Sequence, residues 1–133
     1  MHSLFKNKAL YLALLMLLAG CAGKTSTVTV GGVAVEMPEE VAEEHQKIVD
    51  NIGIYDDPEL DTYVRQVGEQ LLREANITSP PFTFTLLDSP DINAFAMPGG
   101  FIYVNRGLLA YLDNEAELAG VLAHEIGHVT ENH

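Results

Sequence analysis

The sequence predicts an α+β fold, with helices packed on a small β-sheet. Three observations carry this. The chain has 133 residues, enough for one domain. Apolar residues make up 47% of it, so it can bury a core and is not a disordered chain. The periodicities run helix, helix, strands, helix, helix, an order that segregates the strands instead of alternating them with helices. No internal repeat is visible. The net charge of −12 argues against nucleic acid as a partner, because no basic patch exists to neutralise phosphates.

The elements follow in order. Lys6 and Lys8 precede the uncharged apolar run from Ala9 to Leu18, which is too short to span a bilayer but fits the core of a signal peptide. Leu18-Ala19-Gly20-Cys21 then resembles the lipobox of bacterial lipoproteins, in which the cysteine is lipidated and becomes the first mature residue. Cys21 is the only cysteine, and a lone exposed thiol is a liability in an exported protein. An ordinary secretory signal with an incidental cysteine is the alternative. Ala22, in place of an aspartate, points to the outer membrane. The expected organisation is a signal peptide over 1–20, a lipidated cysteine and tether over 21–37, and a folded body over 38–133. The body is strongly acidic, so anchorage would rest on the acyl chains at Cys21 and not on charge.

The tether is small, polar and rich in Thr and Gly, although Val28-Thr29-Val30 also alternates as a strand would. From Pro38 the pattern becomes helical. Val41, His45, Ile48 and Ile52 make one stripe, and four glutamates lie near the start, where the helix dipole favours them. His45 on that stripe reads as a packed helix residue, not a metal ligand. Asp57 and Pro58 open a second helix as N-cap and first residue, with Leu60, Val64, Val67 and Leu71 as its buried side. Pro80-Pro81 interrupts the chain, and Phe82 to Leu86 alternates as a half-buried strand. Two short strands, 92–96 and 101–104, flank the corner Met97-Pro98-Gly99-Gly100. Asn105 is placed to cap a short helix through Tyr111. Asn114, with Glu117 three residues on, gives a capping-box start to the last helix.

That last helix carries His124-Glu125-Ile126-Gly127-His128. At about 100° per residue, His128 lies roughly 40° round from His124, and Glu125 within roughly 100° of both. All three side chains share one arc. Two neutral imidazoles one turn apart suit Zn²⁺, and the adjacent carboxylate can take a proton from a water that the metal acidifies. Such chemistry hydrolyses peptide bonds, with Glu125 as general base. Five residues with three fixed also arise by chance on an exposed helix. Leu118, Val121 and Leu122 argue against that, since they place an apolar stripe just upstream. Gly127 costs about 1 kcal/mol inside a helix and leads one to expect a close backbone approach there.

Several spaced segments agree with one family. Asn93-Ala94-Phe95-Ala96-Met97-Pro98-Gly99-Gly100, Ile102-Tyr103-Val104, Gly107-Leu108-Leu109, Glu115-Ala116-Glu117-Leu118-Ala119 and His124 to Val129 together resemble the HtpX/BepA-type zinc metallopeptidases. These are gluzincins related to the CAAX prenyl proteases. Asp57-Pro58-Glu59-Leu60 with Tyr63-Val64 and Gly68 is similar to that family's lead-in helix. The resemblance covers most of the body and implies a zincin-like fold with the HExxH helix at the cleft. It further implies a zinc-dependent endopeptidase of the bacterial envelope, acting on misfolded or misassembled envelope polypeptides. His124 and His128 are then zinc ligands and Glu125 the catalytic base. Asn93, Ala94, Phe95, Ala96, Pro98, Gly99 and Gly100 then border the substrate cleft, where an edge strand could pair with an extended peptide.

The pattern departs from the family in one respect. A catalytic zinc takes three protein ligands, and in this family the third is a glutamate on a later helix. His133 sits five residues after His128, without the glycine turn of the metzincin pattern, and on a continued helix it lies roughly 180° from His124. It is rejected as a ligand, and no spacing favours an upstream acid such as Asp88. The expectation is therefore an N-terminal part of a longer peptidase, weak in zinc binding and activity by itself, with its third ligand beyond His133. The alternative is a non-catalytic lipoprotein that uses the peptidase-like fold as a binding or chaperone module.

Overall fold

The computed structural model describes residues 23–131. The expected signal peptide, Cys21 and His133 lie outside them. The described residues form strands β1 (Thr25–Val30) and β2 (Val33–Pro38), helices α1 (Glu39–Ile52) and α2 (Pro58–Glu74), strands β3 (Thr83–Leu87), β4 (Ala94–Met97) and β5 (Phe101–Asn105), and helices α3 (Arg106–Tyr111) and α4 (Glu115–Thr130). The α+β class holds.

The stretch expected as a tether is folded from Thr25 onward: β1 and β2 pair as an antiparallel hairpin. Alternating Thr and Val suit a pleated ribbon. Gly31 and Gly32 supply the two positive φ angles, 56° and 81°, that a tight hairpin turn demands. Val30 and Met37 are buried. The small polar residues that looked like linker composition are the solvent side of this ribbon.

The main sheet has the order β3-β5-β4, with β5 parallel to β3 and antiparallel to β4. Its alternation sorts two cores. Phe84, Leu86, Ile102 and Val104 pack with Val64 and Val67 of α2 and with Leu118, Leu122 and Ile126 of α4. Leu87, Phe101 and Tyr103 pack with Val30 and Met37 of the hairpin and Ala42 of α1. The sheet is thus covered on both sides, which is why β3 and β5 are buried along their whole length.

Local chemistry explains the details. Asp57 accepts the Leu60 amide at 3.0 Å, as its N-cap role requires. The α1 stripe is turned from the expected one: Ala42 and His45 are buried, whereas Ile52 is 37% exposed in the last turn. His45 reaches the sheet, where its Nδ1 is hydrogen-bonded to the Tyr103 hydroxyl at 2.8 Å. Burial holds the His45 pKa below the ordinary histidine value. It also pushes the Tyr103 phenol up, helped by the nearby Glu44 charge. Asn105 stands at the N-cap of α3 but makes no side-chain cap bond, and its buried Oδ1 has no partner among the described residues. Asn114 does cap α4, accepting from the Glu117 amide at 3.0 Å. The Glu117 carboxylate in turn accepts from the Asp113 amide at 2.8 Å, one residue earlier than in the usual capping box.

Candidate active site

Helix α4 presents three faces. Leu118, Leu122 and Ile126 enter the core, and Glu125 beside them is only 9% exposed. His124 and His128 turn outward, the first exposed and the second half-buried. Their Nε2 atoms stand 2.9 Å apart and the rings are nearly perpendicular, at 83°. Two nitrogens bound tetrahedrally to one zinc at about 2.05 Å would be about 3.3 Å apart. A few tenths of an ångström of ring movement makes the pair fit the metal.

The third protein donor that a catalytic zinc needs is not there among the described residues: no cluster of three His, Cys, Asp or Glu could hold a metal ion. Asp88, weighed as an upstream acid, is ion-paired with Arg106. Gly127 does not admit a close backbone, contrary to expectation, since no described atom lies within 4 Å of where its Cβ would be.

The approach that brings His128 to the sheet occurs instead at β4. Ala94 and Ala96 point toward α4 and join its core cluster. Such small side chains let the helix lie close to the edge strand. Between them opens a cleft of about 490 Å³ lined by Pro80, Ala96, Met97, Pro98, Gly99, His128 and Val129. Of the expected cleft residues, Ala96, Pro98 and Gly99 line this space with His128. Asn93, Ala94, Phe95 and Gly100 do not. The Asn93 carbonyl accepts from the Asn105 amide, Ala94 lies under α4, and Phe95 stacks on Tyr103 across the sheet. Gly100 is buried, its absent Cβ position 2.2 Å from the Pro81 carbonyl oxygen. Pro80 and Val129 escaped sequence reading, because no local signal says that a chain-breaking proline will fold over the cleft.

A second cavity of about 310 Å³ lies under the hairpin turn, lined in part by His45, Asp57, Asp61, Arg65 and Thr85. Burial raises the Asp61 pKa, with Arg65 partly offsetting it. This cavity shares no residue with the histidine cleft and serves none of its chemistry.

An α+β domain whose core-anchored helix pairs two convergent imidazoles, one of them at a cleft beside an edge strand, and buries the carboxylate between them in sequence has the make-up of a zincin-like metallopeptidase domain. The chain belongs to Peptidase family M48, whose pattern matches residues 58–133. It is 48% identical over 77 residues to the β-barrel assembly-enhancing protease of Yersinia pestis, covering 58% of this chain and 16% of that protein. A putative β-barrel assembly-enhancing protease of Vibrio cholerae is 42% identical over 83 residues, covering 62% and 17%. A protease HtpX homolog of Aquifex aeolicus is 41% identical over 71 residues, covering 50% and 22%. The chain thus spans about a fifth or less of the length of these relatives. Among the described residues, no helix is long and apolar enough to cross a membrane.

Proposed function

We propose that this chain is the metal-binding part of a zinc-dependent endopeptidase of the bacterial envelope, exported as a lipoprotein anchored through Cys21, which hydrolyses misfolded or misassembled envelope polypeptides. The observation that carries the reading is the pair of Nε2 atoms 2.9 Å apart, adjoined in sequence by a buried Glu125, with His128 lining an edge-strand cleft. The names of the relatives, β-barrel assembly-enhancing proteases, support the substrate class.

His124 and His128 would hold the zinc. When bound, zinc supplies a Lewis acid that polarises the scissile carbonyl and acidifies water. Glu125 takes the proton of the attacking water and passes it to the leaving amine. The edge of β4, which pairs with no further strand among the described residues, holds an extended peptide by main-chain hydrogen bonds, which serves unfolded chains irrespective of sequence.

The test uses the full-length natural protein that carries this sequence. It should contain one zinc and cleave an unfolded outer-membrane protein, and Glu125→Gln should stop cleavage while zinc stays bound. Stoichiometric zinc without Glu125-dependent hydrolysis would replace this reading with the non-catalytic binding module.

A further inference from the structure

The histidine cleft does not end at the β4–β5 turn. A smaller cavity of about 220 Å³ opens beyond it on the hairpin side of the sheet, walled by Val35, Met37, Val41, Pro81 and Phe101. It shares Pro80 and Gly99 with the cleft that holds His128. Gly99 makes the sill between the two. Its φ of +95° is a glycine conformation, and a Cβ there would stand 3.2 Å from Val41 Cγ1. Gly99 itself thus puts no side chain between the two cavities.

The pleat of β4 says what would enter. Ala94 and Ala96 face α4, whereas Phe95 and Met97 face the hairpin and α1. A peptide added to the β4 edge alternates in the same way, one side chain toward the histidines and the next toward the hairpin. The smaller cavity opens on that hairpin face at the turn, so a side chain placed there by such a peptide would reach it past Gly99. Its walls are mainly apolar, with Glu36 and the buried Thr83 hydroxyl as the polar groups at its lining, so they offer little to replace the water around a polar side chain. Building on the peptidase reading above, we propose that this cavity is a specificity pocket that takes one large apolar side chain of the polypeptide substrate. Envelope proteins expose such side chains when misfolded and bury them when assembled, so the pocket would bias cleavage toward the unfolded form.

The experiment uses the zinc-loaded, full-length protein and internally quenched peptides that differ at single positions. At one position, Leu or Phe should exceed Ser in kcat/KM by at least about tenfold. Val35→Trp narrows the cavity and should shift the ranking toward small side chains, while Val41→Ala widens it and should shift the ranking toward the largest. Both valines are half-buried, and either variant suffices if the other fails to fold. Glu125-dependent cleavage with no apolar preference, or with a preference that neither variant moves, overturns the pocket and leaves the peptidase reading standing. Absence of Glu125-dependent cleavage overturns both.

Discussion

Glu125 sits where α4 turns from core to solvent, between the buried Leu122 and Ile126 and the outward His124 and His128. This carboxylate is shielded from bulk water and adjoins His124 in the chain, where the proposed reading needs a general base. Glu125→Gln keeps the shape but cannot take a proton. It should lower kcat of the full-length protein by about 10²–10⁴-fold with zinc content unchanged, whereas His128→Ala should lose the zinc itself; metal analysis beside a peptide assay separates the two. That His124 and His128 meet was legible because helical period alone fixes which residues share an arc. The burial gradient of α4 was legible only from Leu118 and Leu122 upstream. His45 was read rightly as packed, but its bond to Tyr103 joins residues far apart in the chain, which no local pattern encodes. It has a consequence for pH. The His45 pKa is lowered on folding, so above the ordinary value of 6.5 both folded and unfolded chains hold it neutral. As pH falls below that value, the unfolded chain takes up a proton that the folded chain refuses, and stability is lost. The thermal midpoint should therefore drop between about pH 7 and pH 5, and His45→Gln should flatten that part of the profile. An unchanged slope in the variant would assign the effect to other groups.

Two glycines in mid-helix look alike in sequence and behave oppositely in the elements they belong to. Gly68 of α2 lies against Phe84 of β3, and a Cβ there would stand 2.3 Å from the ring. Helix and sheet approach closely only because that side chain is missing. Gly68→Ala should cost about 1–3 kcal/mol through overpacking, even though alanine is the better helix former. Gly127 of α4 has no described atom within 4 Å of its Cβ position. There only the propensity acts, and Gly127→Ala should stabilise the chain by about 0.5–1 kcal/mol. Urea unfolding of both variants tests the contrast, and a destabilised Gly127→Ala would mean that another segment packs on α4. The helices and the glycine corner before β5 could be read from periodicity, caps and breakers. Which glycine bears a neighbour could not, since that depends on the partner element.

At the scale of the whole molecule, the sheet divides the described residues into a side that carries the histidine helix and a supporting side. Sequence order alone could not foresee that β5 lies between β3 and β4, because the parallel β3–β5 pairing is a long-range choice. Nor could it separate tether from strand in the Thr-rich segment, whose burial comes from Leu87, Phe101 and Tyr103, distant in the chain. The hairpin roofs these residues, and Tyr103 in turn holds His45 and stacks on Phe95 of the edge strand. The supporting side thus steadies the strand that borders the cleft. If residues 25–37 were a tether, removing them would leave stability untouched. With the hairpin as part of the fold, a chain beginning at Pro38 loses the burial of Val30 and Met37, worth about 1.5–3 kcal/mol each, and uncovers one face of the sheet. That is a large part of the roughly 5–15 kcal/mol that holds an ordinary domain together. Such a chain should unfold at a markedly lower urea concentration, or bind a dye specific for exposed apolar surface before any denaturant is added. An unchanged midpoint would return the segment to the role of a tether and cut the mechanical link from hairpin to cleft.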